Sequence, residues 1–345
     1  MANTIYGINN QGKLKRGDGN DKFNVTRSSS RNGINGGDIY GLNNEGKFIT
    51  GGGDDEIKLT VNTKNANGSG GGVFALNNEN QVKMGSGKDI ISTSVNVIGP
   101  GGNVYGIYNT GTINMGGDAD SITAHVDVNG DRGAIYGIYN TGTINMGGGA
   151  NDIQGTARSS GSNVVYGILN QGMIKMSGAA DTITGTAYTD SNESVYGMFI
   201  SMQGILKSGG GGDTITGSAT SSVDNEQVYG IFNEGKILTG AGEDQVDALI
   251  GGFGGNGVTN LGKDNDILLG FGTGSFKGGG GEDTILLGEG VYIFNEEEII
   301  HESIKMSISG FELIGGFNSA SERFSITSTD QNLSVDENGF AQLIS

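Results

Sequence analysis

Aspartates that follow alternating glycines are the residues of this 345-residue chain whose type and spacing could bind a metal ion. The pattern is GxGxDxU, in which U is a large apolar residue. Calcium takes oxygen ligands from carboxylates and backbone carbonyls, and glycine turns expose their carbonyls freely. The pattern therefore predicts calcium at these turns. Its six complete matches are GDGNDKF (17–23), GGGDDEI (51–57), GSGKDII (85–91), GGGGDTI (209–215), GAGEDQV (240–246) and GGGEDTI (279–285).

The pattern is incomplete in the middle of the chain and denser near residue 262. Asp118 replaces the second glycine in GGDADSI, Asn151 replaces the aspartate in GGGANDI, and SGAADTI (177–183) lacks both leading glycines. We therefore do not expect a continuous row of metal sites through the middle. From residue 262 the spacing shortens to about nine residues, in GKDNDIL, GFGTGSF and GGGEDTI.

The predicted calcium ligands are Asp21, Asp55 and Asp89, with Asp18 and Asp54 as additional oxygen donors. The same pattern extends the set to Asp120, Asp213, Asp244, Asp264, Asp266 and Asp283. Carboxylates stacked about 4.8 Å apart would repel by roughly 1 kcal/mol in water and by a few kcal/mol at an effective dielectric constant near 20, so a cation would offset that repulsion. The alternative is that each aspartate caps its own turn by accepting backbone N–H bonds, without a metal. The sequence leaves both open.

The elements that position these aspartates follow from a repeat. The segment YGIYNTGTINMGG occurs unchanged at 105–117 and 136–148, and aligning on its first aromatic residue gives eight units separated by 30 to 34 residues. Apolar residues alternate within a unit, which predicts three short strands, and the frequent glycines disfavour helix. The units start at Tyr6, Tyr40, Phe74, Tyr105, Tyr136, Tyr166, Tyr196 and Tyr229.

One unit alone would expose an apolar face, so we expect the units to stack as coils of a parallel β-solenoid with about 31 residues per coil. Equivalent residues should then form columns. Asparagine tolerates turns and stacks into ladders, so an asparagine column should be structural. Ile200 interrupts it, and we expect a local bulge there. The predicted asparagine column is Asn10, Asn44, Asn78, Asn109, Asn140, Asn170 and Asn233.

The pattern divides the chain into three parts. Residues 1–250 are predicted to form the solenoid of eight repeats, 251–292 a short calcium-type β-roll, and 293–345 a β-rich C-terminal cap. A cap covers the last coil, which would otherwise expose an open edge. No comparable cap precedes Tyr6, so that edge pairs with another chain or the sequence is a piece of a longer protein.

The glycine-aspartate pattern resembles the calcium-binding nonapeptide of repeats-in-toxin proteins, GGxGxDxUx. The resemblance is close over about residues 240–315 and looser elsewhere, because the first eight corners are about thirty residues apart rather than nine. It implies a chain that folds on meeting calcium outside the cell. It also implies type I secretion, with an uncleaved signal in the segment 293–345.

Composition narrows the function classes. The formal net charge of −18 argues against nucleic acid and anionic membrane surfaces, and the charged residues form no basic patch interleaved with aromatics. There is no cysteine, and no apolar run is long enough for membrane insertion. Lys13, Lys47 and Lys236 recur on the outward side of the middle strand, but no catalytic cluster of Arg, Lys and Asp is evident. The chain also has only two histidines, so we do not expect an enzyme.

These observations favour a non-enzymatic, secreted structural or cell-surface protein that is stabilised by calcium. Two alternatives stay open. One is a solenoid module that binds or modifies an extracellular polysaccharide. The other is a fibre subunit that self-associates through the open N-terminal edge.

Overall fold

The computed structural model describes residues 4–31, 37–65, 71–224, 227–318, 320 and 322–344. Every regular element in these ranges is a β-strand. Within them we find no helix with the length and apolar character needed to cross a membrane. Residues 1–3 at the predicted open edge, and residues 319, 321 and 345 in the predicted cap, lie outside the described ranges.

The strands are numbered in chain order. The first twelve are β1 (Ile5–Asn10), β2 (Lys13–Lys15), β3 (Lys22–Arg31), β4 (Ile39–Asn44), β5 (Lys47–Gly52), β6 (Glu56–Asn65), β7 (Val73–Asn78), β8 (Gln81–Ser86), β9 (Ile90–Ile98), β10 (Val104–Asn109), β11 (Thr112–Gly117) and β12 (Ser121–Asn129). The next twelve are β13 (Ile135–Asn140), β14 (Thr143–Gly147), β15 (Asp152–Ser159), β16 (Val165–Asn170), β17 (Met173–Met176), β18 (Thr182–Thr189), β19 (Val195–Ile200), β20 (Ile205–Gly210), β21 (Thr214–Ser221), β22 (Val228–Asn233), β23 (Lys236–Ala241) and β24 (Gln245–Asp247). The last twelve are β25 (Phe253–Gly254), β26 (Val258–Lys263), β27 (Ile267–Leu269), β28 (Ser275–Gly280), β29 (Thr284–Leu287), β30 (Gly290–Phe294), β31 (Glu298–His301), β32 (Ile304–Ser309), β33 (Leu313–Gly316), β34 (Arg323–Ser325), β35 (Gln331–Val335) and β36 (Ala341–Ile344).

The chain winds into a parallel β-solenoid of about ten turns, which confirms the predicted fold class. Each full coil gives one strand to each of three sheets. Sheet A runs from β1 through every third strand to β25, sheet B begins at β2, and sheet C begins at β3. Coil stacks on coil in parallel register, so that Tyr105 pairs with Tyr136 and Ile122 with Ile153.

The core lies inside the three sheets and follows the alternation in each strand. In β12, for example, Ile122, Ala124, Val126 and Val128 are fully buried, and the residues between them face outward. Side chains of a strand point alternately to its two faces, so every coil adds the same inward residues to one continuous core.

The asparagine ladder, defined by the predicted column, lies at the corner between sheets A and B. Each side-chain amide donates its Nδ2 hydrogen to Oδ1 of the next asparagine, at 2.6 to 2.8 Å from Asn10 to Asn170. Most also donate to a main-chain carbonyl of the next coil, as Asn44 does to Gln81. Ile200 breaks the ladder, and Asn170 donates to the Ile205 carbonyl instead. This confirms the structural role predicted for the column.

The repeated tyrosines stack on the outer side of sheet A. Ring centroids of successive coils lie 4.7 to 5.8 Å apart from Tyr6 to Tyr229, and the ring planes are within 12° of parallel. A second aromatic column, which includes Tyr108 and Tyr139, packs edge-on against the first. The ring faces therefore cover one another, and mainly the ring edges remain available to solvent.

The coils shorten after sheet A ends at β25. Sheets B and C continue in parallel to β28 and β29 without a further strand of sheet A, so two strands make the coil there. Strands β30 to β32 and β34 to β36 then pair antiparallel at the end of the stack. These antiparallel strands cover the last coil.

Candidate metal centre at the aspartate corner

One residue of each coil lies at the corner between sheets B and C, directly before the strand of sheet C. We call this set the aspartate column. From Asp55 to Asp283 its members are at most 2% exposed. It therefore brings most of the predicted ligands into one line along the rod. The column consists of Asp21, Asp55, Asp89, Asp120, Asn151, Asp181, Asp213, Asp244, Asp266 and Asp283.

Glycine predominates at this corner because at several positions a side chain would clash with the preceding coil. Gly85 has a φ of +135°, and a Cβ on it would lie 1.4 Å from the carbonyl oxygen of Gly51 in the preceding coil. Both the backbone conformation and the close approach exclude a side chain. At positions such as Gly85, coil stacking therefore requires glycine whether or not a metal binds.

One oxygen of each column carboxyl group has a clear structural role. The backbone N–H of each column residue donates to Oδ1 of the column residue in the next coil, over 2.7 to 3.0 Å. The bond from Asp55 to Asp89 is 2.9 Å, for example. The aspartates thus cap the corner of a neighbouring coil, which differs from the own-turn cap considered above.

The second oxygen has no hydrogen-bond donor. Oδ2 is buried and unpartnered in each of the aspartates from Asp55 to Asp283. Burial, together with neighbouring carboxylates, raises the pKa of Asp89 and of Asp266 to about 7. Burial also raises to about 6 the pKa values of Asp120, Asp181 and Asp244. These groups are costly to ionise chiefly because burial removes the water that would stabilise the charge.

The residue packed inside the corner varies from coil to coil. Ser208 and Thr239 hold this position beside Asp213 and Asp244, and their hydroxyl groups partly counteract the rise in pKa. Each hydroxyl nevertheless donates its hydrogen to a main-chain carbonyl of the next coil. By strand register the same position is Met84 in the coil of Asp89, which gives an apolar neighbour.

Asn151 shows what surrounds the second oxygen. It occupies the column position between Asp120 and Asp181, and its Nδ2 replaces the carboxylate Oδ2. This nitrogen lies 2.9 Å from the carbonyl oxygen of Gly149 and 3.1 Å from Oδ1 of Asp181. The amide nitrogen donates to these two acceptors. An aspartate in its place would set a third acceptor, Oδ2, against them. Equivalent corners with aspartate therefore bring oxygens together without a donor.

The remaining predicted ligands lie outside the column. Asp18, Asp54 and Asp264 are exposed on the outer side of the corner. Asp54 accepts the backbone N–H of Lys88 at 2.9 Å, and Asp264 accepts that of Gly242 at 3.1 Å. Their charges still reach the column, because Asp54 raises the pKa of Asp89.

The donor set fits a hard cation with many carbonyl ligands. Among the described residues no group of three or more His, Cys, Asp or Glu side chains converges on one point. An ion would therefore rest on one or two carboxylates and on the corner carbonyls. Calcium accepts such a set because it combines carboxylate and carbonyl oxygens with flexible geometry.

Two members of the corner were missed by the sequence pattern. Asp181 lies in the degraded motif SGAADTI, yet its register places it in the column. Its signal was the DTI sequence shared with Asp213. Glu312 ends the column by accepting the backbone N–H of Asp283 at 2.8 Å through Oε2. Its signal, ELI before a strand, was weak because Ile308 replaces the first glycine of the pattern and glutamate replaces the aspartate.

Comparisons with protein families, curated proteins and solved structures match nothing to this chain.

Proposed function

We propose that this protein is a non-enzymatic structural rod whose aspartate column binds calcium and which works outside the cell or on its surface. The observation that supports the proposal is the row of buried Oδ2 atoms without donors. The hydrogen bonds of Asn151 indicate that these Oδ2 atoms face other oxygens at the corner. A bound cation would stabilise these oxygens together.

Calcium would act through the folded state. Above about pH 7, column carboxylates whose pKa is raised by burial, such as those of Asp89 and Asp266, lose their protons and repel along the rod. Calcium bound between coils would offset that repulsion and join each coil to the next. Because the unfolded chain cannot arrange the same oxygens, binding would raise the stability of the fold by mass action. The rod would then be most stable where calcium is abundant, as outside cells.

The likeness of the motif to repeats-in-toxin proteins belongs to the same proposal. Such an origin would place a type I secretion signal in the segment 293–345, which follows the last coils. A host that carries a type I exporter tests this. We expect the full chain to appear in the medium, and a chain ending at residue 292 to remain inside.

Calcium titration of the metal-stripped protein tests the central claim. Circular dichroism and thermal unfolding at neutral pH should show a melting temperature that rises with calcium and then saturates. Magnesium should give a smaller rise, because it demands stricter geometry and keeps its waters. Equilibrium dialysis then counts the bound ions. A melting temperature that ignores calcium, with no ion retained, would refute the proposal.

Asn151 offers a matched pair of variants. Asn151→Asp adds a carboxylate to the column and should increase both the calcium bound and the calcium-dependent rise. Asp89→Asn should reduce both. If the two variants respond to calcium like the parent protein, any bound calcium lies outside the column.

A further inference from the structure

The outer face of sheet B differs in charge from the rest of this acidic protein. Its ten parallel strands, β2 to β28, contain nine lysines and neither aspartate nor glutamate. The whole chain has only 20 Lys and Arg residues against 38 Asp and Glu. All nine lysines are exposed. We call this surface the lysine face.

The lysines lie in two groups along the rod. Lys13, Lys15, Lys47 and Lys83 project from the first three coils. Thr112 and its neighbours, which are uncharged, separate them from the second group. Because coils repeat about every 4.8 Å, the lysine face extends over about 43 Å.

The second group contains five lysines on five successive strands of sheet B. Lys175 and Lys207 pair directly in neighbouring coils. The later coils add Lys236, Lys263 and Lys277. Apolar residues such as Ile205 and Leu238 lie between them. By strand register these lysines lie in neighbouring columns rather than in a single one. Together they extend about 19 Å along the rod.

None of these lysines forms an ion pair with another of the described residues. The two ion pairs found there are Lys22–Glu56 on sheet C and Lys305–Glu298 in the cap. Asp18 lines the same surface depression as Lys15 and Lys83 but forms no ion pair with either. Two other acidic residues near the face have other partners. Glu45 and Glu79 accept from asparagine side chains on the outer face of sheet A. The lysine face is therefore an unpaired positive stripe between acidic corners.

We propose that the lysine face binds a linear polysaccharide that carries carboxylate groups, such as a chain of uronic acids. Single ammonium groups at coil spacing suit sparse carboxylates along an extended polymer. Nucleic acid is less suited, because its denser charge would meet the acidic corners and the face offers no aromatic side chain for bases. Neutral sugars normally stack on aromatic faces, and the tyrosine column covers its own.

The test compares two sets of four substitutions. The first changes Lys175, Lys207, Lys236 and Lys277 to Gln. The control removes the same charge from the outer face of sheet C, with Lys22, Lys58, Lys64 and Arg158 changed to Gln. Binding of short oligogalacturonates, their methyl esters and duplex DNA is measured by interferometry with calcium present. Circular dichroism verifies each fold, so this test does not depend on whether the stripped chain folds.

We expect the parent protein to bind oligogalacturonate and to ignore its methyl ester. The lysine-face variant should bind roughly tenfold or more weakly, with a shallower salt dependence, while the control should change by less than about threefold. Equal losses in both variants would show that only overall charge matters and would overturn the proposal. So would an absence of binding, binding of the ester, or tighter binding of DNA. None of these outcomes bears on calcium at the aspartate column.

Discussion

The asparagine ladder and the aspartate column occupy two corners of the same coils and differ by one chemical group. An amide carries both a donor and an acceptor, so each asparagine gives a hydrogen bond to the next and receives one from the last. A carboxylate only accepts. Its Oδ1 receives a backbone N–H from the neighbouring coil, and its Oδ2 receives nothing.

The difference shows which corner depends on its surroundings. The asparagine ladder is neutral and satisfies itself in any solution that keeps the coils stacked. The aspartate column needs a proton or a cation to complete it. Asn151 supports this interpretation, because its side-chain nitrogen donates hydrogen bonds to acceptors in its own coil and in the next one.

A change of pH should have the largest effect on the stability of the metal-free protein. Burial raises the pKa of Asp89 from 3.8 to about 7, so the folded state holds a proton that the unfolded state has lost. Stability should fall as pH rises from about 4 to 7, and level off above. Thermal unfolding at a series of pH values with chelator measures this. Saturating calcium should flatten or reverse the trend, and a metal-free stability that rises over this range would contradict the protonated column.

Moving a carboxylate into the asparagine ladder should come next in size. Asn109→Asp would set acceptor against acceptor at Asn140 and remove two donated hydrogen bonds, at a cost of about 3 kcal/mol or more. Denaturant unfolding measures the loss. The control is Asn170→Asp, which should cost less because Ile200 already ends the ladder there. Similar losses at both positions would mean that the ladder adds nothing beyond single bonds.

The reverse exchange should stabilise. Asp120→Asn replaces an unpartnered Oδ2 with a donor, and we expect a gain of about 1 kcal/mol at neutral pH without calcium. With saturating calcium the gain should vanish or become a loss, because a ligand has been removed. Chemical unfolding with and without calcium measures both values. A loss of stability in both conditions would show that the amide does not fit, and would weaken the comparison.

Restoring the ladder at its break should have the smallest effect. Ile200→Asn would let Asn170 donate within the ladder again, but it would replace a fully buried apolar side chain. The two contributions are of similar size, so the free energy of unfolding should change by less than about 1 kcal/mol. A large loss, measured by denaturant unfolding, would indicate that the turn after Ile200 depends on that side chain.

Much of this molecule could be predicted because a solenoid repeats in space what its sequence repeats in order. The alternating apolar residues gave the strands, the unit length gave the coil, and the shared position of Asn109 and Asn140 gave the ladder. The same dependence on repetition explains why the sequence pattern missed Asp181 and Glu312. Their motifs depart from GxGxDxU, although strand register and a hydrogen bond place them with the rest.

The sequence by itself determined the parallel stack and its columns, because identical units have identical neighbours. Only the tertiary structure decided how each column is used. It assigned Oδ1 of the aspartates to the next coil, left Oδ2 buried without a donor, and turned Asp54 outward. It also gathered nine lysines from eight separate strands onto one face. These outcomes depend on which side of a strand meets which coil, and no single unit contains that information.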